Sequence, residues 1–359
     1  MTPTFYYNVI LTGCSGTVGT QLCKELKKHK FLGREVKIVG IDLFPPPEPG
    51  LVDFFRKEDI SKLDLLEEYK HYSDELGGDI IGIDAIIHTA ASLNLDARKD
   101  YLGKTNVAPT GMLARLAEYC STAEEPAHFI HFSSCSIYDL DYSPPYEEYA
   151  RLKASNNYEE SKINSEKAIS EYSRRIQTII RPGMIYGPYQ KSLSSTAICV
   201  ASLLGKVGLS MSGGPKSNWV HSEDLARAVV HILKKRIGGT YNVAEDKAFP
   251  FGDIVDSVVD SLYSGPRLKL PWPTLAVEYG KDVLVKALPV VNAALGGLWK
   301  GLLPKSPLVP KVDKGALTFG YKDAIFSNQK IKSVGFKFKH SILDSIGPVA
   351  EWYKENGWI

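Results

Sequence analysis

Short apolar runs alternate with stretches of helical periodicity through the first half of the chain. Residues 8–11, 36–41, 85–88, 129–132 and 177–181 are rich in Ile, Val and Phe, which suits strands buried on both faces. Between the first two, Val18, Leu22 and Leu26 recur every fourth residue and set one apolar helix face, with Lys24, Lys27 and Lys28 left for water. Met112, Leu113, Leu116 and Ala117 repeat that pattern within residues 108–120. Strands separated by helices need crossover connections, so the expected sheet is parallel. Past Gly187 the pattern changes. Helical stretches at 192–204 and 222–234 lead to one short strand at 240–243, and a segment rich in Pro, Gly and Leu runs from 265 to about 310. The expected fold class is α/β, a doubly wound parallel sheet followed by a smaller C-terminal domain.

Composition narrows the function classes. The 359 residues are 44% hydrophobic and 23% charged, with 43 basic and 41 acidic side chains and a formal charge of +2. Those are ordinary globular values, without the basic stripe a nucleic-acid partner needs. Five cysteines, none in a CxxC pair, suggest neither a disulfide framework nor a thiolate metal site. The N-terminus lacks a secretory pattern, so a cytoplasmic location is the expectation. The longest apolar stretch, residues 274–303, is interrupted by Glu278, Lys281, Asp282, Lys286 and Lys300, so no spanning helix is expected. An amphipathic segment with lysines can still make peripheral membrane contact.

The first predicted strand runs into Thr12-Gly-Cys-Ser-Gly-Thr-Val-Gly19, and a helix follows. Gly13 allows a tight turn, Gly16 lets backbone approach a pyrophosphate, and Gly19 lets helix and strand pack closely. The helix start offers N–H groups and a favourable dipole to phosphates, so Ser15, Thr17 and Val18 join the glycines as expected cofactor contacts. Asp42 ends the second strand, 23 residues after Gly19. A carboxylate there accepts hydrogen bonds from the adenosine ribose and repels a 2′-phosphate, which favours NAD over NADP.

The spacing Gly13-x-x-Gly16-x-x-Gly19 resembles that of the extended short-chain dehydrogenase/reductase family, which holds nucleotide-sugar epimerases and dehydratases and the 3β-hydroxysteroid dehydrogenases. Further segments resemble the family's motifs in the same order. Asp59-Ile60 is similar to its pair at the adenine ring, Ile87-His-Thr-Ala-Ala91 to its segment beside the cofactor ribose, and Asn106-Val107 to the opening of its next helix. The resemblance implies a Rossmann-type domain with Asp59, Ile60, Thr89, Ala90, Ala91 and Asn106 near NAD. It also implies a smaller, discontinuous C-terminal substrate-binding domain, with residues 1–187 and about 216–243 in the sheet domain and 188–215 and 244–359 in the substrate domain. Arg181-Pro-Gly-Met-Ile-Tyr-Gly-Pro188 resembles another motif, which puts Pro182 and Gly183 near the nicotinamide. A homodimer through helices near 108–120 and 158–174 is also implied.

Tyr158-Glu-Glu-Ser-Lys162 sets a phenol and an ammonium four residues apart, on one face of a helix. A free phenol, with a pKa of about 10, is a poor base near neutrality. A lysine charge and the positive nicotinamide favour the phenolate, so Tyr158 can take a proton from a substrate hydroxyl while hydride leaves its carbon. Lys162 would also hold the nicotinamide ribose. Ser133-Ser-Cys-Ser-Ile-Tyr138 resembles the family segment carrying the serine that binds the reacting oxygen. Ser134 fits that place, with Ser133 and Ser136 as alternatives, so the expected catalytic set is Ser134, Tyr158 and Lys162.

No metal site is expected: His128 and His131 lie an odd number apart on a predicted strand, hence on opposite faces. Trp219-Val-His-Ser-Glu-Asp-Leu-Ala226 resembles a late-helix motif in which His221 and Asp224 fix structure. For the small-molecule substrate, nucleotide-sugar members usually carry an asparagine where Met184 stands and an arginine just before the late-helix motif, where this chain reads Lys216-Ser-Asn-Trp219. The stretch before Phe326 looks most like the 3β-hydroxysteroid dehydrogenase branch. The leading expectation is therefore oxidation of a secondary alcohol on a bulky apolar molecule, under a mobile cap formed by residues 271–308 whose charged groups keep its outer face wet. A nucleotide-sugar epimerase or dehydratase is the alternative, and a non-catalytic NAD sensor a third.

Overall fold

Residues 6–64, 82–95, 97–122, 124–169 and 175–359 are described by a computed structural model. Tyr6–Thr12 forms β1, turning Tyr7, Val9 and Leu11 into the core. The glycine turn leads into α1, Thr17–Leu26, whose Leu22, Cys23 and Leu26 are buried. Strands β2 (Arg34–Asp42), β3 (Phe54–Lys57) and β4 (Ala85–His88) follow, then α2 (Ala108–Cys120), β5 (His128–Phe132), α3 (Asn157–Ile169) and β6 (Ile176–Pro182). Every residue of β4 and β5 is buried, as expected of central strands covered on both faces. The part of the predicted dimer helix at residues 170–174 lies outside the described residues.

The chain continues through β7 (Met184–Tyr186), α4 (Leu193–Lys206), β8 (Leu209–Ser212), β9 (Trp219–His221), α5 (Ser222–Lys235) and β10 (Gly239–Val243). It closes with α6 (Phe251–Leu262), β11 (Leu268–Pro271), α7 (Thr274–Leu302) and α8 (Ile342–Glu355), besides shorter pieces.

Two compact units divide these elements. The first comprises residues 1–139, 150–182 and 225–242. Its sheet runs β3-β2-β1-β4-β5-β6-β10, with the short strand Lys30–Phe31 also paired to β2. That order reverses direction at β1, which makes the gap between β1 and β4 the switch point where doubly wound sheets bind ligands. The pairs β1–β2, β1–β4, β4–β5 and β5–β6 are all parallel. In register, Thr12 faces His88 and His88 faces His131, so the chain leaves β1, β4 and β5 at one level of the sheet edge.

The second unit comprises residues 140–149, 183–224 and 243–359. Residues 140–149 thus part from the sheet domain to which their sequence position assigned them. Its core gathers Tyr186, Ile198, Trp219, Ile254, Trp299 and Ile346, with α6 packed on α4 and α8. Two parallel strand pairs, β7–β9 and β8–β11, extend it.

Helix α7 keeps its five charged side chains exposed, as expected, but leaves many of its apolar ones exposed as well. Only Gly296 and Trp299 are buried, while Leu275, Tyr279, Val283, Val290, Leu298 and Leu302 are exposed. It is also, by length and composition, the one helix among the described residues long and apolar enough to cross a membrane.

Candidate active site

The glycine turn is shaped by close approach. Gly13 takes φ +76° and donates its N–H to Ile41 O (2.8 Å); a Cβ on it would lie 2.5 Å from Thr89 Oγ1 and 2.7 Å from Ala90 N. A Cβ on Gly19 would lie 2.0 Å from Gly13 O, so helix and strand meet here as the spacing predicted. Gly16 is different: the nearest atom to its Cβ would be Gly13 O at 3.4 Å, so the protein's own packing demands less there. Gly16 precedes α1, which has no side-chain cap, and the helix dipole points at that place. A pyrophosphate fits such a cradle.

Asp42 closes the turn's far side. One carboxylate oxygen accepts the Ser15 N–H (3.0 Å) and the other the Phe44 N–H (3.3 Å), which fixes the side chain and leaves acceptor capacity for ribose hydroxyls. Thr89 Oγ1 donates to Thr12 O (2.8 Å), holding Thr89, Ala90 and Ala91 beside Gly13. Asp59 caps the 3-10 turn that begins at Ile60, accepting from Ser61 N (3.0 Å). Asn106 is held within the protein on both sides of its amide. Its Oδ1 accepts from Ser92 N (2.8 Å), and both N–H groups are spent on Ser92 O and Ser161 Oγ (3.1 Å each). Its side chain therefore braces the loop after β4 against α3. Pro182 ends β6, and Gly183 donates its N–H to Val243 O (3.0 Å).

Helix α3 begins with a reciprocal cap: Asn156 Oδ1 accepts the Glu159 N–H (2.9 Å), and Glu159 reaches back to Ser155 N (2.6 Å). That start orients Tyr158 and Lys162 toward the end of β5. Lys162 is buried and donates from Nζ to Phe132 O (2.7 Å), with Nζ 5.8 Å from the centre of the Tyr158 ring. Ser134 stands just after that strand, near enough to the half-buried Tyr158 phenol to favour its ionised form. Its Oγ accepts the Ser136 N–H (3.1 Å) and lies 2.9 Å from Ser136 Oγ. The structure therefore brings Ser134, Tyr158 and Lys162 together, with Ser136 touching Ser134 rather than replacing it. The buried Ser133 Oγ has no hydrogen-bond partner among the described residues.

Burial raises the Tyr158 phenol above its ordinary range, Glu159 adds to the effect, and Ser134 opposes it. Burial lowers Lys162 to about 8, against the opposing pull of Glu166. Burial thus disfavours the charged form of both groups, yet a lysine titrating near 8 is still mostly an ammonium at neutral pH, set beside a neutral phenol.

Sequence reasoning missed the framework beneath them. Arg181 donates to both Glu166 oxygens (2.9 and 2.6 Å) and to Tyr138 OH (2.9 Å), which in turn donates to Asn242 Oδ1 (2.7 Å). This chain of bonds ties α3, the loop after β5, β6 and β10 into one rigid floor. Glu166 sits four residues beyond Lys162 on the same helix face, and that spacing was its available signal. Also buried are His88, held between Thr12 Oγ1 (2.7 Å) and Thr110 Oγ1 (3.1 Å), and His131, whose ring centre lies 5.6 Å from that of His88.

Metal-ligand chemistry gathers at one grouping among the described residues, His221, Glu223 and His340 in the second unit, whose ligand atoms lie within 4.8 Å of one another. The two imidazoles stack at 3.9 Å instead of converging, and Glu223 is engaged by Lys339 (2.8 Å) and His340 (3.0 Å). This is a packed ion-pair corner. Beside it Asp224 accepts the backbone N–H groups of Lys339 and His340, the structural part its motif predicted. The second unit also holds an open cavity of about 680 Å3, lined by Asp141, Tyr142, Tyr146, Thr274, Tyr321 and Lys322 among others.

Comparison with known proteins agrees with this geometry. Residues 9–244 match the model of the "NAD dependent epimerase/dehydratase family". A nonribosomal peptide synthetase-like enzyme of Aspergillus fumigatus, fsqF, is 27% identical over 210 residues; the match covers 56% of this chain but 13% of that much longer protein. The UDP-glucuronic acid 4-epimerase of Bacillus cereus, solved with NAD, shares the fold at a TM-score of 0.66 and 18% identity, covering 98% of this chain and 99% of that one. The UDP-N-acetylglucosamine 4-epimerase of Methanobrevibacter ruminantium, solved with UDP-N-acetylmuramic acid, superposes at a TM-score of 0.68 and 16% identity over 98% and 99%.

Proposed function

Because the chain belongs to the NAD-dependent epimerase/dehydratase family, we propose that it moves hydride between NAD and a secondary alcohol carbon of a nucleotide-linked sugar. The observation that carries this reading is the convergence of Ser134, Tyr158 and Lys162 at the level of the sheet edge where the glycine turn begins. NAD, when bound, supplies the hydride acceptor and a positive nicotinamide. Tyr158 takes the hydroxyl proton as the substrate C–H bond breaks and returns it in the reverse direction. Ser134 holds the reacting oxygen. The Lys162 ammonium, anchored on Phe132 O, draws the phenol down toward a usable pKa and keeps further N–H groups for a ribose hydroxyl. Asp42 reads that the adenosine ribose carries no phosphate.

Two observations favour a sugar nucleotide over the apolar alcohol that composition suggested. The apolar side chains of α7 include many that face solvent, so this helix does not supply the greasy lining an apolar substrate would require. The cavity in the second unit is lined by charged residues and tyrosines. Met184, standing where an asparagine is usual, packs against the core of that unit.

The test is to incubate the protein with NAD and a panel of UDP- and dTDP-sugars beside sterol-like alcohols, following both nicotinamide absorbance and the sugar products. Conversion of a nucleotide sugar, lost in Tyr158→Phe, is the expected result. Steady NADH build-up with an apolar alcohol and no change in any nucleotide sugar would overturn the proposal.

A further inference from the structure

Helix α7 presents two faces of opposite character. Its inner face carries Gly296 and Trp299, with Trp299 in the core of the second unit and its indole N–H given to Ser306 Oγ (3.2 Å). Asn292 on the same side exchanges two 2.8 Å hydrogen bonds with the backbone of Val312. The outer face is apolar along much of its length, with Glu278, Lys281 and Asp282 exposed near its start. Leu275, Tyr279, Val283, Val290, Leu298 and Leu302 recur at helical spacing, and Tyr279 and Val290 are 84% and 73% exposed. At 29 residues the helix is roughly 43 Å long.

Charge says what covers this face. From Thr274 to Lys314 six lysines, at 281, 286, 300, 305, 311 and 314, outnumber three acidic residues, Glu278, Asp282 and Asp313. Lys286, Lys300 and Lys305 are exposed. Lys286 falls within the apolar stripe, where its stem can lie along the helix while the ammonium reaches outward. A second copy of the helix laid against this face would bring like charges together in an apolar contact, at a cost. An anionic lipid surface instead takes the apolar stripe into its acyl boundary and the lysines into its headgroup layer. The packed inner face, with Trp299 and Asn292 fixed to their own unit, suits a helix lying in the interface plane better than one crossing it.

We propose that the outer face of α7 docks the protein on an anionic lipid bilayer. This inference is independent of the substrate assigned to the active site. The test is flotation of the full-length protein with vesicles of phosphatidylcholine alone or mixed with phosphatidylglycerol. Binding to the mixed vesicles should be about tenfold tighter or more, and should fall as salt is raised. Val283→Glu with Val290→Glu should abolish it, and Lys286→Glu with Lys300→Glu should weaken it, each with NAD affinity and melting temperature unchanged. Failure of the natural protein to float with anionic vesicles would sink the idea. So would flotation unaffected by the valine pair, or a dimer in solution that the valine pair splits.

Discussion

Helices α3 and α7 invert what their compositions suggest. α3 is mostly polar, yet it buries Glu159, Ser161, Lys162 and Ser165. α7 is rich in Leu, Val and Ala, yet of its 29 residues it buries two. The difference lies in partners. Each buried polar group of α3 meets a donor or acceptor: Ser155 N, Asn106 and Phe132 O. Desolvation is then offset by hydrogen bonds that water would otherwise have made. The outer face of α7 has no protein surface against it within its unit, and apolar area left in water forgoes about 25 cal/mol per Å2.

The comparison breaks most visibly at Tyr158. Tyr158→Phe keeps the ring and removes the proton carrier, so turnover should fall by about 10^2 to 10^4 while NAD binding persists. Equal losses in both would mean that the phenol is a scaffold and not an acid/base. Next comes the floor beneath it. Glu166→Ala takes the carboxylate partner from the buried Arg181 guanidinium and should cost about 3–5 kcal/mol, read as a drop in melting temperature.

Buried polar groups should also write themselves into the pH dependence of stability. Burial holds His88, His128 and His221 down to about 3 and His131 well below its ordinary value. The unfolded chain binds protons on them near pH 6.5, so stability is lost as pH falls through that value. Burial raises Glu245 from 4.5 to about 8, so its contribution is fully present below pH 4.5 and is lost as pH rises toward 8. Four histidines outweigh one carboxyl between pH 4.5 and 6.5. The four histidines balance the carboxyl about half a unit above 6.5, so the melting temperature should peak at about pH 7, and Glu245→Gln should flatten the alkaline limb and steepen the acid one. A peak elsewhere would show that surface charge outweighs these groups. The smallest effect belongs to α7: Val290→Glu should change stability by no more than about 0.5 kcal/mol, whereas Trp299→Ala on the opposite face should cost about 3–5 kcal/mol. Denaturant titration of both variants checks the contrast.

The parallel sheet was legible because its strands are buried on both faces and so read as unbroken apolar runs; residues 85–88 and 108–120 form elements with those very bounds. The glycine turn was legible because steric demands at Gly13 and Gly19 leave no other residue possible. Tyr158 and Lys162 were found by a spacing that a helix turns into proximity. Less visible was anything set by long-range partners. Asn106 carries an amide suited to a ligand, and only the folded chain shows it spent on Ser92 and Ser161. The Arg181–Glu166–Tyr138–Asn242 chain joins residues up to 104 positions apart, beyond any local period. For α7, periodicity gives two apolar sides, and composition cannot say which of them the second unit covers.

The threading of the chain has a consequence for its synthesis. The sheet unit is written in three pieces, and its last, residues 225–242, follows a stretch that belongs to the other unit. A ribosome that has released only the first 182 residues exposes β6 as an open sheet edge, because β10 has not yet been made. Such an edge is a template for pairing with another nascent chain. A fragment cut at the apparent end of the nucleotide domain is thus the wrong one to express, and a soluble piece must run at least through Val243.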